Sequence, residues 1–284
     1  MHLWKELVFG GHLFAIGSVS VMLMCAAIFL LPASIEIMCI SYLLFYIIYL
    51  NDYSKGVCVD KITNSGRASY LQSRGSNFIL INLASCLFFV LLLLSGNNGL
   101  IITGTLILVL GLLYGNVFKD LTKKIIGFKN FYVAAVWSFM VLFFFLQQSV
   151  DLTYGALMLA FFVFLRMMNL QIMFDMRDFN GDMEEGLLTF PVRFGLQRNM
   201  TLMRIINVLS VVFMTICVLS GILPLASLSI IVVAYYAGKC IEDISSQKGQ
   251  LCYVFAAFEP ILWFLLVFAG NLFMQLLNIP TYML

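Results

Sequence analysis

Apolar residues run along this chain in long blocks, separated by short polar, glycine or proline breaks. Nine blocks stand out, at 11–32, 34–51, 77–95, 98–117, 130–149, 153–175, 201–221, 224–238 and 252–275. Each reaches or approaches the ~20 residues a helix needs to cross the hydrocarbon of a bilayer. The breaks include Leu31-Pro32, Ser95-Gly96-Asn97-Asn98 and Leu223-Pro224. The pattern predicts nine transmembrane helices, an all-α integral membrane protein with a single domain over 1–284.

Composition agrees. Of 284 residues, 62% are hydrophobic and 11% charged, against about 45–50% and about 25% in an ordinary soluble domain. A soluble globule of this size cannot hide so much apolar surface, and a lipid-anchored enzyme would still need a polar shell. Disorder is excluded on the same ground. A net charge of +2 gives no reason to expect a nucleic-acid partner. The first apolar block is too long for a signal peptide and has no small-residue cleavage site behind it. Seven scattered cysteines, none in a CxxC pair, read as small core hydrophobes rather than disulfides or zinc ligands.

Charge then orients the bundle. With nine spans, all 16 Lys and Arg fall on or toward one face, while the other carries only Glu36 and Asp151. That asymmetry turns the charged face and the N-terminus to the cytoplasm, and a prokaryotic cell membrane is expected. The three long loops also lie on this face, so the chemistry is expected there.

Two acidic segments leave even-numbered spans on that face. Asp175, Asp178 and Asp182, at i, i+3 and i+7, share one face if the helix continues. Three such carboxylates repel one another unless cations sit among them, and their hard oxygens suit Mg²⁺. A solvated loop balanced by Arg177 is the plainer alternative. The second segment holds Asp52 and Asp60, two helical turns apart, with Gly56 between them. A third loop, from Tyr114 to Asn130, carries Lys119, Lys123, Lys124 and Lys129; topology alone accounts for Lys123 and Lys124. Acids beside bases make a diphosphate site, and an apolar bundle above it would hold a hydrocarbon tail. An isoprenoid diphosphate combines both features.

These motifs resemble those of the UbiA superfamily of intramembrane prenyltransferases. Asp175-x-Arg177-Asp178-x-x-Gly181-Asp182-x-x-x-Gly186-x-x-Thr189-x-Pro191-Val192-x-x-Gly195 is similar to its second aspartate motif. Leu113-Tyr114, Lys119 and Lys129-Asn130 look like its loop between spans four and five, and Asp52-x₃-Gly56-x₃-Asp60-x₃-Asn64-x-x-Arg67 looks like its first motif. The resemblance implies a nine-helix bundle around a central cavity, open to membrane lipid and capped by cytoplasmic loops. It implies Mg²⁺ held by Asp52, Asp60, Asp175, Asp178 and Asp182. Asn64, Arg67, Lys119, Lys129 and Arg177 would meet a polyprenyl diphosphate, Asp178 and Asp182 would be catalytic, and Tyr114 would face an allylic cation. The acceptor would be aromatic or lipid. A cyclase using the same ionisation and a prenyl-lipid binding protein are rival readings. One departure stands out: the family's first motif has an acid where Gly56 stands or, in a shifted register, where Lys55 stands.

Other polar residues carry weaker expectations. Glu259, beside Pro260 in span nine, could serve as a base, be protonated, or bond backbone freed at a kink. Arg166 and Asn169 could pair with a buried acid or touch substrate. Gln147, Gln148, His2 and His12 are expected at the interfaces.

Overall fold

In the computed structural model residues 2–245 and 251–280 are described, and they form helices joined by short turns. In chain order these are α1 (His2–Phe9), α2 (His12–Phe29), α3 (Ile35–Thr63), α4 (Ser65–Arg74), α5 (Asn77–Leu94) and α6 (Asn98–Leu113). A π-helical turn (Tyr114–Phe118), α7 (Lys119–Thr122), α8 (Phe128–Gln148) and α9 (Tyr154–Arg177) follow. The chain continues through α10 (Phe179–Glu184), α11 (Phe190–Phe194), α12 (Leu196–Leu219), a 3₁₀ stretch (Leu225–Ile231), α13 (Val232–Ser245), α14 (Leu251–Ala257) and α15 (Glu259–Leu276). Among the described residues, eight segments are long and apolar enough to cross a membrane, and the shorter apolar α6 joins them to give the expected nine. The chain is therefore a multi-pass membrane protein.

Helix starts follow their capping residues. Ser34 Oγ accepts from the Ile37 amide, Asn97 Oδ1 from Leu100, and Thr153 Oγ1 from Ala156. Apolar surface lies on both sides of the bundle wall, as lipid requires. Trp137, Trp263 and Phe143 to Phe145 are fully buried, whereas Phe78, Leu94, Val208 and Phe273 point outward.

Four boundaries differ from the hydropathy pattern. The second span continues to Thr63, making α3 29 residues long. At ~1.5 Å per residue it measures about 43 Å, well beyond the ~30 Å hydrocarbon core, so its last turns, with Asp60, extend past an apolar layer of that depth. The fourth span is α-helical only to Leu113 and then widens into the π turn. The eighth opens as 3₁₀ helix, and the ninth breaks at Phe258, just before Pro260.

That break also places Glu259. It is 1% exposed, and Arg166 Nε donates to its Oε1 at 2.7 Å, with Trp263 Nε1 donating at 3.2 Å. Arg166 also donates to Asn207 and Ser210 on α12. The buried pair thus ties α9, α12 and α15 together. Asn169, one turn further along α9, is buried without a hydrogen-bond partner. His12 is half-buried, bonded to Tyr42 and Glu6. Gln147 and Gln148 donate to Ser34 and the Pro32 carbonyl at the opposite end of the bundle from the acidic segments. Among the described residues, none of the seven cysteines forms a disulfide. The His2 side chain and Lys248 lie outside the described residues.

Candidate active site

The end of α3, the π turn with α7, the start of α8, and α10 surround a cavity of about 370 Å³. Asp52, Asp60, Arg67, Tyr114, Lys119, Lys129, Asp178 and Asp182 all line it. Eight of the eleven residues singled out in the sequence therefore share one space, although they come from segments more than 100 positions apart. Arg177 and Asn64 instead line a neighbouring apolar chamber of about 270 Å³, where α1, α2 and α14 meet. Asp175 lines none of these spaces.

Most acids are already matched by bases. Arg67 grips Asp60 with two bonds, Nε to Oδ2 at 2.7 Å and Nη2 to Oδ1 at 2.5 Å, and its guanidinium lies 4.2 Å above the Tyr53 ring. A planar guanidinium suits this two-point pairing. Arg177 pairs with Asp178 in the same two-point manner, at 2.8 and 2.7 Å. Lys119 donates to Glu185 at 2.8 Å. Lys129 and Asn130 donate to the two oxygens of Asp175 at 2.9 and 2.6 Å.

The helix expected to run through Asp175, Asp178 and Asp182 is interrupted, and Asp175 does not line the cavity that Asp178 and Asp182 share. Helix α9 ends at Arg177, Asp178 interrupts it with φ −89° and ψ 8°, and α10 begins at Phe179. Asp175 consequently stays in the bundle, fully buried against Lys129 and Asn130, while Asp178 and Asp182 reach the cavity. Asp182 is 5% exposed and its Oδ2 has no hydrogen-bond partner. Burial raises its carboxyl to about 6, with Lys129 pulling down and Asp175 and Asp178 pushing up. At Asp178 burial also opposes ionisation, but Arg177 outweighs it and holds that carboxyl at about 2.

Among the described residues, no three His, Cys, Asp or Glu side chains converge to hold a metal by themselves. Mg²⁺ does not need three, because it commonly takes one or two carboxylates and fills its shell with water and substrate phosphate. The open Asp182 oxygen beside Asp178 fits that pattern.

A second apolar chamber of about 100 Å³ joins the acidic cavity at Asp52, Tyr114 and Lys129. Its wall includes Phe45, Tyr49, Tyr132, Trp137 and Gln171. Trp137 Nε1 donates to the Tyr49 hydroxyl at 3.0 Å, and Phe45 meets Trp137 edge-on at 4.4 Å, which fixes the wall. The π turn, a feature frequent at functional sites, begins at Tyr114 and puts that residue in both spaces. Sequence reasoning missed Glu185, Tyr53 and Gln171. Glu185 lies at i+3 from Asp182 and Tyr53 at i−7 from Asp60, so helical spacing was the available signal for both.

Taken together, these features define a multi-span helical membrane protein in which an acid-and-base cavity adjoins an aromatic-walled chamber. The chain belongs to the UbiA prenyltransferase family, whose model it matches over residues 65–266. The match begins just past Asp52 and Asp60. Solved structures give the same fold. A UbiA homologue from Archaeoglobus fulgidus bound to GPP and Mg²⁺ is 14% identical, with a TM-score of 0.63 and coverage of 92% of this chain and 98% of that one. A structure of a UbiA homologue from the same organism bound to DMAPP and Mg²⁺ is 13% identical, with a TM-score of 0.59 and coverage of 93% and 98%. Digeranylgeranylglyceryl phosphate synthase is 15% identical, with a TM-score of 0.57 and coverage of 95% and 97%. A comparison with curated protein sequences finds no match.

Proposed function

We propose that this chain is an intramembrane prenyltransferase that moves an isoprenyl group from a polyprenyl diphosphate to an aromatic or lipid acceptor. Mg²⁺ is its cofactor and its site faces the cytoplasm. The observation that carries this reading is the buried, unpartnered oxygen of Asp182, a residue lining a cavity that also holds Arg67, Lys119 and Lys129 and joins an aromatic chamber. Family membership supports it, as do the structural neighbours bound to GPP or DMAPP with Mg²⁺.

Asp178 and Asp182 would hold Mg²⁺, which when bound neutralises phosphate oxygens and stabilises the departing pyrophosphate. Arg67, Lys119 and Lys129 give charge-assisted hydrogen bonds to the same diphosphate. The chamber beyond Asp52 and Tyr114 takes apolar substrate carbon and excludes water. The allylic C–O bond breaks and its electron pair leaves with pyrophosphate. The acceptor then bonds to the freed carbon and loses a proton. The Tyr114 ring presents a negative π face to the cationic carbon in between.

The test is pyrophosphate release by purified protein with farnesyl or geranylgeranyl diphosphate, with and without Mg²⁺. Mg²⁺-dependent release that Asp178→Ala and Asp182→Ala abolish supports the reading. No release from folded protein with any donor and acceptor mixture contradicts it.

A further inference from the structure

The two acidic arms of the cavity are unequal in what they offer a cation. On the α9–α10 arm, Asp182 keeps one buried oxygen unpartnered. Asp178, one turn from Asp182, whose amide donates to its carbonyl at 2.9 Å, has both carboxylate oxygens taken by Arg177, just as Asp60 on the α3 arm has both taken by Arg67. Asp52 stands two turns away, about 12 Å along the helix, whereas oxygens around Mg²⁺ lie only ~2.1 Å from the ion. Asp52 and Asp60 therefore cannot share one ion, and the position midway between them is Gly56, which has no side chain. Beside it, Lys55 lines the same cavity as Asp52, Asp60 and Arg67.

From this asymmetry we infer that the site takes a single divalent ion, on the Asp178/Asp182 arm, and that Lys55 on α3 and Arg67 on α4 bind the diphosphate directly. The inference rests on the diphosphate reading above and names how that substrate is held. A fixed lysine and arginine do on one side what a metal does on the other: they meet phosphate oxygens with charge-assisted hydrogen bonds. Arg67 can do so while paired, because a guanidinium has five N–H donors and two of its nitrogens serve Asp60. The space to restore a ligand exists. A Cβ added at Gly56 would have Asp60 Oδ2 as its nearest neighbour, at 4.0 Å.

The experiment counts Mn²⁺ bound per chain, by electron paramagnetic resonance and equilibrium dialysis in detergent, with inorganic pyrophosphate present. One Mn²⁺ per chain is expected for the natural sequence, and Asp182→Asn should lose it. Gly56→Asp should raise the count to two. Lys55→Gln should keep one Mn²⁺ while weakening pyrophosphate binding about tenfold. Lys55 is exposed to the cavity rather than packed in the core, so this variant is expected to fold. Two Mn²⁺ in the natural protein, or loss of Mn²⁺ in Lys55→Gln with pyrophosphate affinity unchanged, would overturn the inference and leave the diphosphate reading standing. Absence of pyrophosphate binding with or without Mn²⁺ would overturn both.

Discussion

The end of α3 and the α9–α10 junction carry similar residues, aspartates beside an arginine, yet they space their acids differently around the same cavity. Helix α3 runs unbroken through Asp52 and Asp60, which stand two turns apart, and ends at Thr63; Arg67, on the following α4, reaches back to Asp60, with the Tyr53 ring against its guanidinium. At the α9–α10 junction the helix stops at Arg177, and the turn separates one buried acid from two that face outward. The difference teaches that spacing, more than pairing, sets what two acids can do together. Each arm pairs one aspartate with an arginine at both oxygens, but only Asp178 has a second aspartate one turn away, Asp182, whose Oδ2 keeps no partner.

Substitutions on the two arms should separate these roles. The largest effect is expected at Asp182. Asp182→Asn removes the open carboxylate charge and should lower Mg²⁺-dependent pyrophosphate release by about a hundredfold or more, since the metal contributes several kcal/mol to stabilising the leaving group. A steady-state comparison at saturating donor checks it, and near-normal release would break the assignment of this arm to the metal.

Next comes Lys129, which serves the broken arm from below. Lys129→Met leaves Asp175 buried with one partner, Asn130, and should destabilise the protein by about 3–5 kcal/mol, the usual cost of removing one member of a buried pair. Glu259→Ala should cost a similar amount by stranding Arg166, but it lies away from both arms and should leave the Mg²⁺ requirement of the remaining folded protein unchanged. Thermal unfolding in detergent reads both variants, and a Mg²⁺ titration of Glu259→Ala guards against a general loosening of the site. A smaller change is expected from Arg67→Lys. It loses the two-point grip on Asp60 and should raise the donor KM several-fold with kcat little changed; a fall in kcat alone would count against direct binding of the diphosphate.

Much of this was legible in the sequence. Hydropathy located the spans because burial in lipid demands long apolar runs, and the motif residues named their chemistry by type and spacing. Pairing was not legible. Lys129 with Asp175, Lys119 with Glu185 and Arg166 with Glu259 join positions 46, 66 and 93 residues apart, and no local pattern encodes which base finds which acid. The break at Asp178 was equally hidden, because Asp-Phe-Asn-Gly can continue a helix or turn it. Hydropathy also stopped the second span at 51, where polar residues begin, although α3 continues as a solvated helix to Thr63. The gap at Gly56 was visible as a departure, but its meaning depended on seeing Arg67 occupy both oxygens of Asp60.

The most direct test of the division between the arms is a crossed titration of pyrophosphate release. Mg²⁺ and geranylgeranyl diphosphate would each be varied for the natural protein, Asp182→Asn and Lys55→Gln. The account predicts that Asp182→Asn raises the Mg²⁺ needed for half-maximal release by about tenfold or more. Lys55→Gln should raise the donor KM and leave the Mg²⁺ requirement where it was. Equal shifts of the Mg²⁺ requirement in both variants would contradict it.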